Sequence, residues 1–115
     1  DSDAEWKNDP AMTEFGAFMK KYMPDVDPGN SFALAGYIAA QTLRVALEQC
    51  GDNLTRENIM AQATNLRNLE LGTLLPGIRI NTSKTDYFPL EELQFMKFEG
   101  QEWKRFGPVV SGTME

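Results

Sequence analysis

The side chains of this sequence that could do chemistry are mostly carboxylates. The 115 residues include no histidine and a single cysteine, Cys50. A zinc site needs a cluster of thiolates or imidazoles, and most serine, cysteine and metal hydrolases use an imidazole as base or ligand. Glu57 and Asp86 could serve as acid and base, but no spacing singles out this pair. We therefore expect neither an enzyme nor a bound cofactor.

A second carboxylate pair, Asp25 and Asp27, begins like a calcium-binding loop. Such a loop requires glycine at its sixth position and a bidentate glutamate at its twelfth. In this sequence those positions hold Asn30 and Gly36. The segment has the composition of a tight surface loop, and no metal site is expected there.

Charge and length narrow the class of protein. The chain has 17 acidic and 11 basic residues and a formal net charge of −6, and a surface biased in this way repels phosphate backbones. Nucleic acid is therefore not an expected partner. The length and the 42% hydrophobic content fit one globular domain or a piece of one. The chain begins with Asp1 rather than an initiator methionine, and we interpret it as trimmed at its front.

Three helices are predicted, over about residues 10–23, 31–50 and 56–66. The first begins where Asp9 can cap the helix and Pro10 occupies the position that needs no N–H donor. Gly51 ends the second helix, and Thr55 caps the third.

The second helix has apolar residues around most of its circumference. One stripe consists of Phe32, Ala35, Ile38, Ala39, Thr42, Val45 and Ala46, and it is widened by Leu34, Tyr37, Leu43 and Leu47. Few other residues are left to face solvent, mainly Gln41, Arg44 and Glu48. We expect this helix to be packed on more than one side, with Tyr37 in the core.

The pattern changes from helical to extended after residue 72. Ile78, Ile80 and Thr82 alternate with polar residues, as in a half-buried strand. Segments 93–98 and 103–106 flank a glycine and predict an antiparallel hairpin, with Trp103 and Phe106 in the core. Three helices followed by strands give an α+β chain that lacks the parallel sheet such helices normally cover. The simplest interpretation is that this sheet is formed by chain that is absent here.

Several segments together resemble a known family. They are Trp6 with Asp9-Pro10, residues 32–43 (FALAGYIAAQTL), residues 54–60 (LTRENIM), residues 75–78 (LPGI), and residues 81–83 (NTS) with Phe88-Pro89. The sequence resembles the C-terminal third of the periplasmic solute-binding proteins of ABC importers, in the branched-chain amino acid binding family. The likeness covers nearly the whole chain.

The resemblance implies a parent of type I periplasmic binding fold, in which two α/β lobes enclose a ligand. Residues 1–73 would be the helical part of the N-terminal lobe, and residues 74–115 a crossover segment and a hairpin returning to the other lobe. The implied function is capture of a small carboxylate, such as an amino acid or an aromatic acid, and its delivery to an ABC permease in the membrane. The implied location is the periplasm. The alternative is a stand-alone helical interaction module, which leaves the hairpin unexplained.

The family places an apolar or aromatic side chain at the start of the helix matching residues 32–43, facing the cleft. The resemblance therefore implies Phe32 as a ligand-binding residue, while periodicity alone favours a core phenylalanine. Asp86 and Tyr87 could touch a ligand or belong to an ordinary loop. Arg79 could bind a ligand carboxylate or lie on a solvated strand face.

Without a sheet beneath them, the helices would expose more apolar surface than soluble monomers usually tolerate. We expect the isolated chain to form a homodimer. The copies would either stack helix face on helix face or exchange the strands of residues 78–106.

Overall fold

The computed structural model describes residues 4–112, and they form three α-helices followed by small antiparallel sheets. After a short 3-10 turn, Ala4–Trp6, the elements are α1 (Pro10–Tyr22), α2 (Ser31–Cys50), α3 (Arg56–Ala63), β1 (Glu92–Leu93), β2 (Met96–Glu99), β3 (Glu102–Arg105) and β4 (Val110–Ser111). The chain is thus α+β, as predicted. None of the helices in this part of the chain is long and apolar enough to cross a membrane.

The helix boundaries follow from local capping. Asp9 accepts a hydrogen bond from the Met12 N–H at 2.9 Å, and Asn30 accepts one from the Phe32 N–H at 2.9 Å. Gly51 ends α2 with a positive φ of 56°, a conformation that residues with a Cβ rarely adopt. The predicted starts and the first two ends are confirmed.

The third helix ends earlier than predicted, at Ala63 instead of about residue 66. The reason is the Thr82 hydroxyl, which donates to the Ala63 carbonyl at 2.7 Å and accepts from the Leu66 N–H at 3.0 Å. The Thr82 side chain thus binds the backbone N–H and carbonyl groups whose hydrogen bonds would have continued the helix.

Residues 78–82 show the predicted alternation but not the predicted strand. Ile78, Ile80 and Thr82 are buried while Arg79 is exposed. The backbone of this segment pairs as a single bridge with Leu69 and then bonds other partners, with the Asn81 N–H reaching the Pro89 carbonyl and the Thr82 N–H the Leu66 carbonyl. The strand prediction was wrong because these successive partners belong to different segments, so no ladder can form.

The predicted hairpin is present as β2 and β3, paired from Met96 with Arg105 to Glu99 with Glu102. Gly100 occupies its turn with a φ of 68°. Unforeseen from sequence, β1 pairs with β4 beyond the open end of the hairpin. The core prediction for Trp103 and Phe106 was wrong, since both are more than half exposed. Each ring lies about 5–6 Å from the aromatic ring opposite it, Trp103 from Phe98 and Phe106 from Phe95, and within residues 4–112 neither is buried further.

The buried apolar residues form a small core between the helices and the segment that follows them. They are Phe15, Met19, Ala46, Cys50, Leu66, Ile78 and Ile80. Tyr37, half-buried, places its ring about 5 Å from those of Phe15 and Phe18 and so joins α2 to α1. Tyr37 was predicted to lie in the core, and it packs against α1 but is not among the fully buried residues.

The surface is large for the mass. The accessible area is 8529 Å², whereas a folded monomer of 12.9 kDa exposes about 6,300 Å². The radius of gyration is 16.1 Å, against about 13 Å for a compact domain of this length. The elements therefore form one incomplete layer instead of a closed globule.

A substitution at Thr82 tests how the end of α3 is held to the segment of residues 78–82. Thr82→Val keeps the shape but leaves the Leu66 N–H and Ala63 carbonyl without this partner, so it should lower the free energy of unfolding by about 1–3 kcal/mol. Thr85→Val, at an exposed position, should change it by less than about 0.5 kcal/mol. Urea denaturation at one fixed protein concentration measures both. Equal effects of the two variants would contradict the assigned role of Thr82.

Candidate functional site

Phe32 lies on the surface at the first turn of α2. Its residue is 85% exposed, and the Asn30 cap fixes the backbone direction at this point. A ring so exposed is not part of a core within this chain. Within the described chain, the interpretation of Phe32 as a core residue is therefore wrong. Its interpretation as a ligand-binding residue stays a prediction.

The exposed ring belongs to a longer apolar surface on α2, which we call the open face. Its members are all exposed at helical spacing, and they are Phe32, Ala35, Gly36, Ala39, Ala40, Leu43 and Leu47. The sequence predicted packing on more than one side of α2. Within residues 4–112 this face is left uncovered, so that prediction was wrong for Leu43 and Leu47.

The opposite side of α2 is covered by the chain itself. Gln41, predicted to face water, is half-buried and its side-chain oxygen accepts a hydrogen bond from the Thr73 hydroxyl at 2.7 Å. Arg44 and Glu48 are exposed as predicted and pair with each other at 3.1 Å. The two sides of α2 thus differ in what they can bind: one is occupied, and the other is apolar and free of charge.

Arg79 is engaged with the chain's own carboxylates. Its Nε donates to Glu70 Oε1 at 2.8 Å, and its backbone N–H donates to Glu92 Oε2 at 2.6 Å. The side chain remains nearly half exposed. The solvated-face interpretation of Arg79 agrees with this position.

Asp86 and Tyr87 lie in a loop, as one of the two interpretations held. The Asp86 carbonyl accepts from the Ser83 N–H at 2.8 Å, and the Asp86 carboxylate accepts from the Phe88 N–H at 3.0 Å. Both acceptors are thus used within a local turn. Tyr87 is 66% exposed.

The predicted loop at Asp25 and Asp27 is also built by local bonds, since Asp27 Oδ1 accepts from the Gly29 N–H at 2.8 Å. Among residues 4–112, no group of three or more histidine, cysteine, aspartate or glutamate side chains is placed to hold a metal ion.

The concave regions of the surface are shallow. A groove of about 550 Å³ lies beside the hairpin and is lined mainly by polar and aromatic side chains, namely Glu5, Gln94, Glu102, Trp103, Lys104, Arg105 and Phe106. A smaller apolar hollow of about 140 Å³ lies between α1, the start of α2 and residues 72–75. Phe32 lines neither of them.

Leu43 and Leu47 are the surface residues that sequence reasoning missed, because it assigned them to packing. A signal was present in the sequence: residues 31–43 contain no charged residue at all. Such a stretch in a helix indicates burial in the functional assembly, but it does not say by what.

The comparisons with known proteins give one match. A model of the family described as "Periplasmic binding protein" matches residues 2–102, which runs from before α1 to the start of β3. No curated protein and no solved structure matches the chain.

The exposure of Phe32 can be tested by stability. Phe32→Ala should change the free energy of unfolding of this chain by less than about 0.5 kcal/mol, because the ring contacts mainly solvent. Phe15→Ala, at the 1% exposed position in α1, should lower it by about 3–5 kcal/mol. Thermal or urea denaturation compares the two. If Phe32→Ala lowered the free energy of unfolding by several kcal/mol, the ring would have to be buried in the core, and its assignment to the surface would be wrong.

Proposed function

The chain belongs to the type I periplasmic binding protein family, and from this membership we propose that it is a fragment of an extracytoplasmic receptor for a small carboxylate. The family consists of solute-binding proteins of the periplasm and is not an enzyme family. The ligand class that we propose is an amino acid or an aromatic acid. The proposed partner that takes over the ligand is an ABC permease in the membrane.

The observation that carries this proposal is the exposed aromatic ring at the start of α2. Ligand sites are mostly apolar clefts with a few polar groups, and in a two-lobed protein each lobe supplies one wall. Phe32 is 85% exposed and stands where the resemblance expects a wall residue. We propose that it packs against the apolar part of the ligand in the intact receptor.

The architecture supports assigning the three helices to one side of such a cleft. We propose that residues 1–73 are helices of the N-terminal lobe and that residues 74–115 cross to the other lobe. Helices α1 to α3 form a single layer, and a layer with an uncovered apolar face requires a second layer. Apart from Phe32, which we assign to the ligand, the open face of α2 is the surface on which a sheet from the rest of the receptor would pack.

The alternative is a stand-alone helical module that binds a partner through the open face. Taken by itself, the open face would fit this role as well as it fits the receptor. The match over residues 2–102 extends past the helices through β2 to the start of β3, which favours the receptor.

For the isolated chain we propose a homodimer. The accessible area of 8529 Å² exceeds that of a folded monomer of this mass by roughly 2,200 Å². A standard protein interface buries about 1,200–2,000 Å² over both partners. The excess is therefore large enough for a stable interface between two copies.

The proposal predicts that the 115-residue chain alone does not bind such ligands with useful affinity. One wall buries too little of a small ligand to offset the loss of its translational and rotational freedom. Titration calorimetry with amino acids and aromatic acids should show no saturable heat. A saturable isotherm in the micromolar range would show that the site is complete in this chain.

In the intact receptor, Phe32→Ala should weaken ligand binding by roughly 1–3 kcal/mol, because the ring would be buried against the ligand. The matched control is Phe98→Ala, which removes another exposed phenylalanine from β2 and should leave the affinity unchanged. Calorimetry on both folded variants measures the difference. Unchanged affinity in Phe32→Ala would remove this residue from the proposed site.

A further inference from the structure

Arg105, at the end of β3, reaches back to the 3-10 turn that precedes α1. Its guanidinium forms an ion pair with the Glu5 carboxylate and lies over the Trp6 ring, 5.2 Å from the ring centroid. The Arg105 side chain is 29% exposed, whereas that of Arg44, in a surface ion pair on α2, is 76% exposed. A guanidinium covered in this way is attracted more strongly to a carboxylate and to an aromatic ring than one in open solvent.

This contact is the polar link between the hairpin and the helical part of the chain. Among the hydrogen bonds and ion pairs of residues 4–112, the others that join residues 4–73 to residues 74–112 connect residues 63–71 with residues 74–82. Those bonds hold the segment directly after the helices, and none of them reaches β2 or β3. The position of the hairpin relative to the helices therefore depends on Arg105.

The burial of the hairpin indicates the same point of attachment. Of the residues in β2 and β3, all are exposed except Met96 and Arg105, which are half-buried and lie opposite each other in the ladder. The hairpin is thus covered only at the end where Arg105 meets the 3-10 turn. The rest of it, with the turn at Gly100, is open to solvent.

Trp6 continues the connection toward the helices. It is half-buried, and it lines the hollow of about 140 Å³ together with Leu34 and residues 72–75. Leu34 lies in the first turn of α2, two residues after Phe32. Trp6 therefore lies between the hairpin and the helix turn that carries the proposed ligand wall.

We propose that Arg105 is a reversible latch, which docks the hairpin on the helical part through Glu5 and Trp6 and releases it when these contacts break. A partly exposed ion pair and a cation–π contact each favour the bound state by only about two- to fivefold. A released minority of molecules therefore persists in solution, and small changes at Arg105 shift its population.

The latch has a further consequence in the intact protein, and this part rests on the receptor proposal and its assignment of the hairpin to the second lobe. There, Arg105 joins two segments that belong to opposite lobes. A contact that holds the lobes together favours the closed arrangement that encloses a ligand.

Amide hydrogen exchange of the 115-residue chain tests the latch without any ligand. A released two-stranded hairpin is only marginally stable, so Arg105→Ala should speed exchange of the paired amides of β2 and β3 by about five- to twentyfold. The amides of α2 should keep their rates. Arg105→Lys keeps the charge without the planar guanidinium and should have a smaller effect. The matched control is Arg44→Ala, which removes an arginine from the ion pair on α2 and should leave exchange in the hairpin unchanged.

Tryptophan emission gives a second readout. The chain contains two tryptophans, Trp6 and Trp103, so Trp6 is the only one left in a Trp103→Phe background. Release of the hairpin exposes the Trp6 ring, and adding Arg105→Ala should therefore move its emission to longer wavelength. Adding Arg44→Ala should not, and circular dichroism checks that the helices are kept in every variant.

Two results with the 115-residue chain would overturn the latch. One is equal exchange of the hairpin amides in Arg105→Ala and Arg44→Ala. The other is an equal acceleration of the α2 amides and the hairpin amides in Arg105→Ala, since Arg105 would then support the whole fold instead of docking the hairpin.

Calorimetry of the intact receptor with a panel of amino acids and aromatic acids tests the role in closure. Arg105→Ala should weaken binding by about two- to tenfold and Arg44→Ala should not. Unchanged affinity in Arg105→Ala, with faster exchange of the hairpin in the isolated chain, would overturn the role in closure and support the latch itself. If the unaltered receptor bound none of these solutes, the receptor proposal would be wrong, and the exchange experiment would still decide the latch.

Discussion

The structure depends on one constraint: α2 is apolar on nearly all sides, while the described chain covers only one of them. Tyr37 meets the rings of Phe15 and Phe18, and Gln41 meets Thr73. The open face has no such cover. Because each Å² of apolar surface left in water forgoes about 25 cal/mol, this face defines what the chain still has to bind. The large accessible area and the extended shape agree with this uncovered face.

Polar contacts hold the second half of the chain to the helices where apolar cover is small. Thr82 bonds both Ala63 and Leu66, and the Asn81 side chain accepts from the Asn68 N–H at 2.8 Å. Each such bond contributes only about 1 kcal/mol net, but breaking a buried one leaves its partner unsatisfied. The hairpin beyond them is held less firmly, since an isolated two-stranded ribbon is marginally stable.

The sequence predicted the features that local chemistry decides. Helix starts at Asp9 and Asn30 and the stop at Gly51 are set by neighbouring backbone groups, and the turn at Gly100 by a positive φ. The end of α3 was predicted less well because a residue nineteen positions away decides it. The core assignments of Trp103 and Phe106 failed for a related reason. Periodicity shows that apolar residues share one face of an element, but it does not show whether other residues of the same chain pack on that face.

The same limit applies to the candidate site, and it explains why Phe32 could not be decided from its pattern. An aromatic residue in a core and one that binds a ligand can have the same spacing along a helix, and only their exposure distinguishes them. In this chain Phe32 is 85% exposed, while its stripe neighbour Ala46, on the same helix, is 2% exposed. One stripe thus passes from a covered end near α3 to an uncovered end at the first turn. Residues of the same chemical type serve folding at one end, and at the other they are free to serve binding.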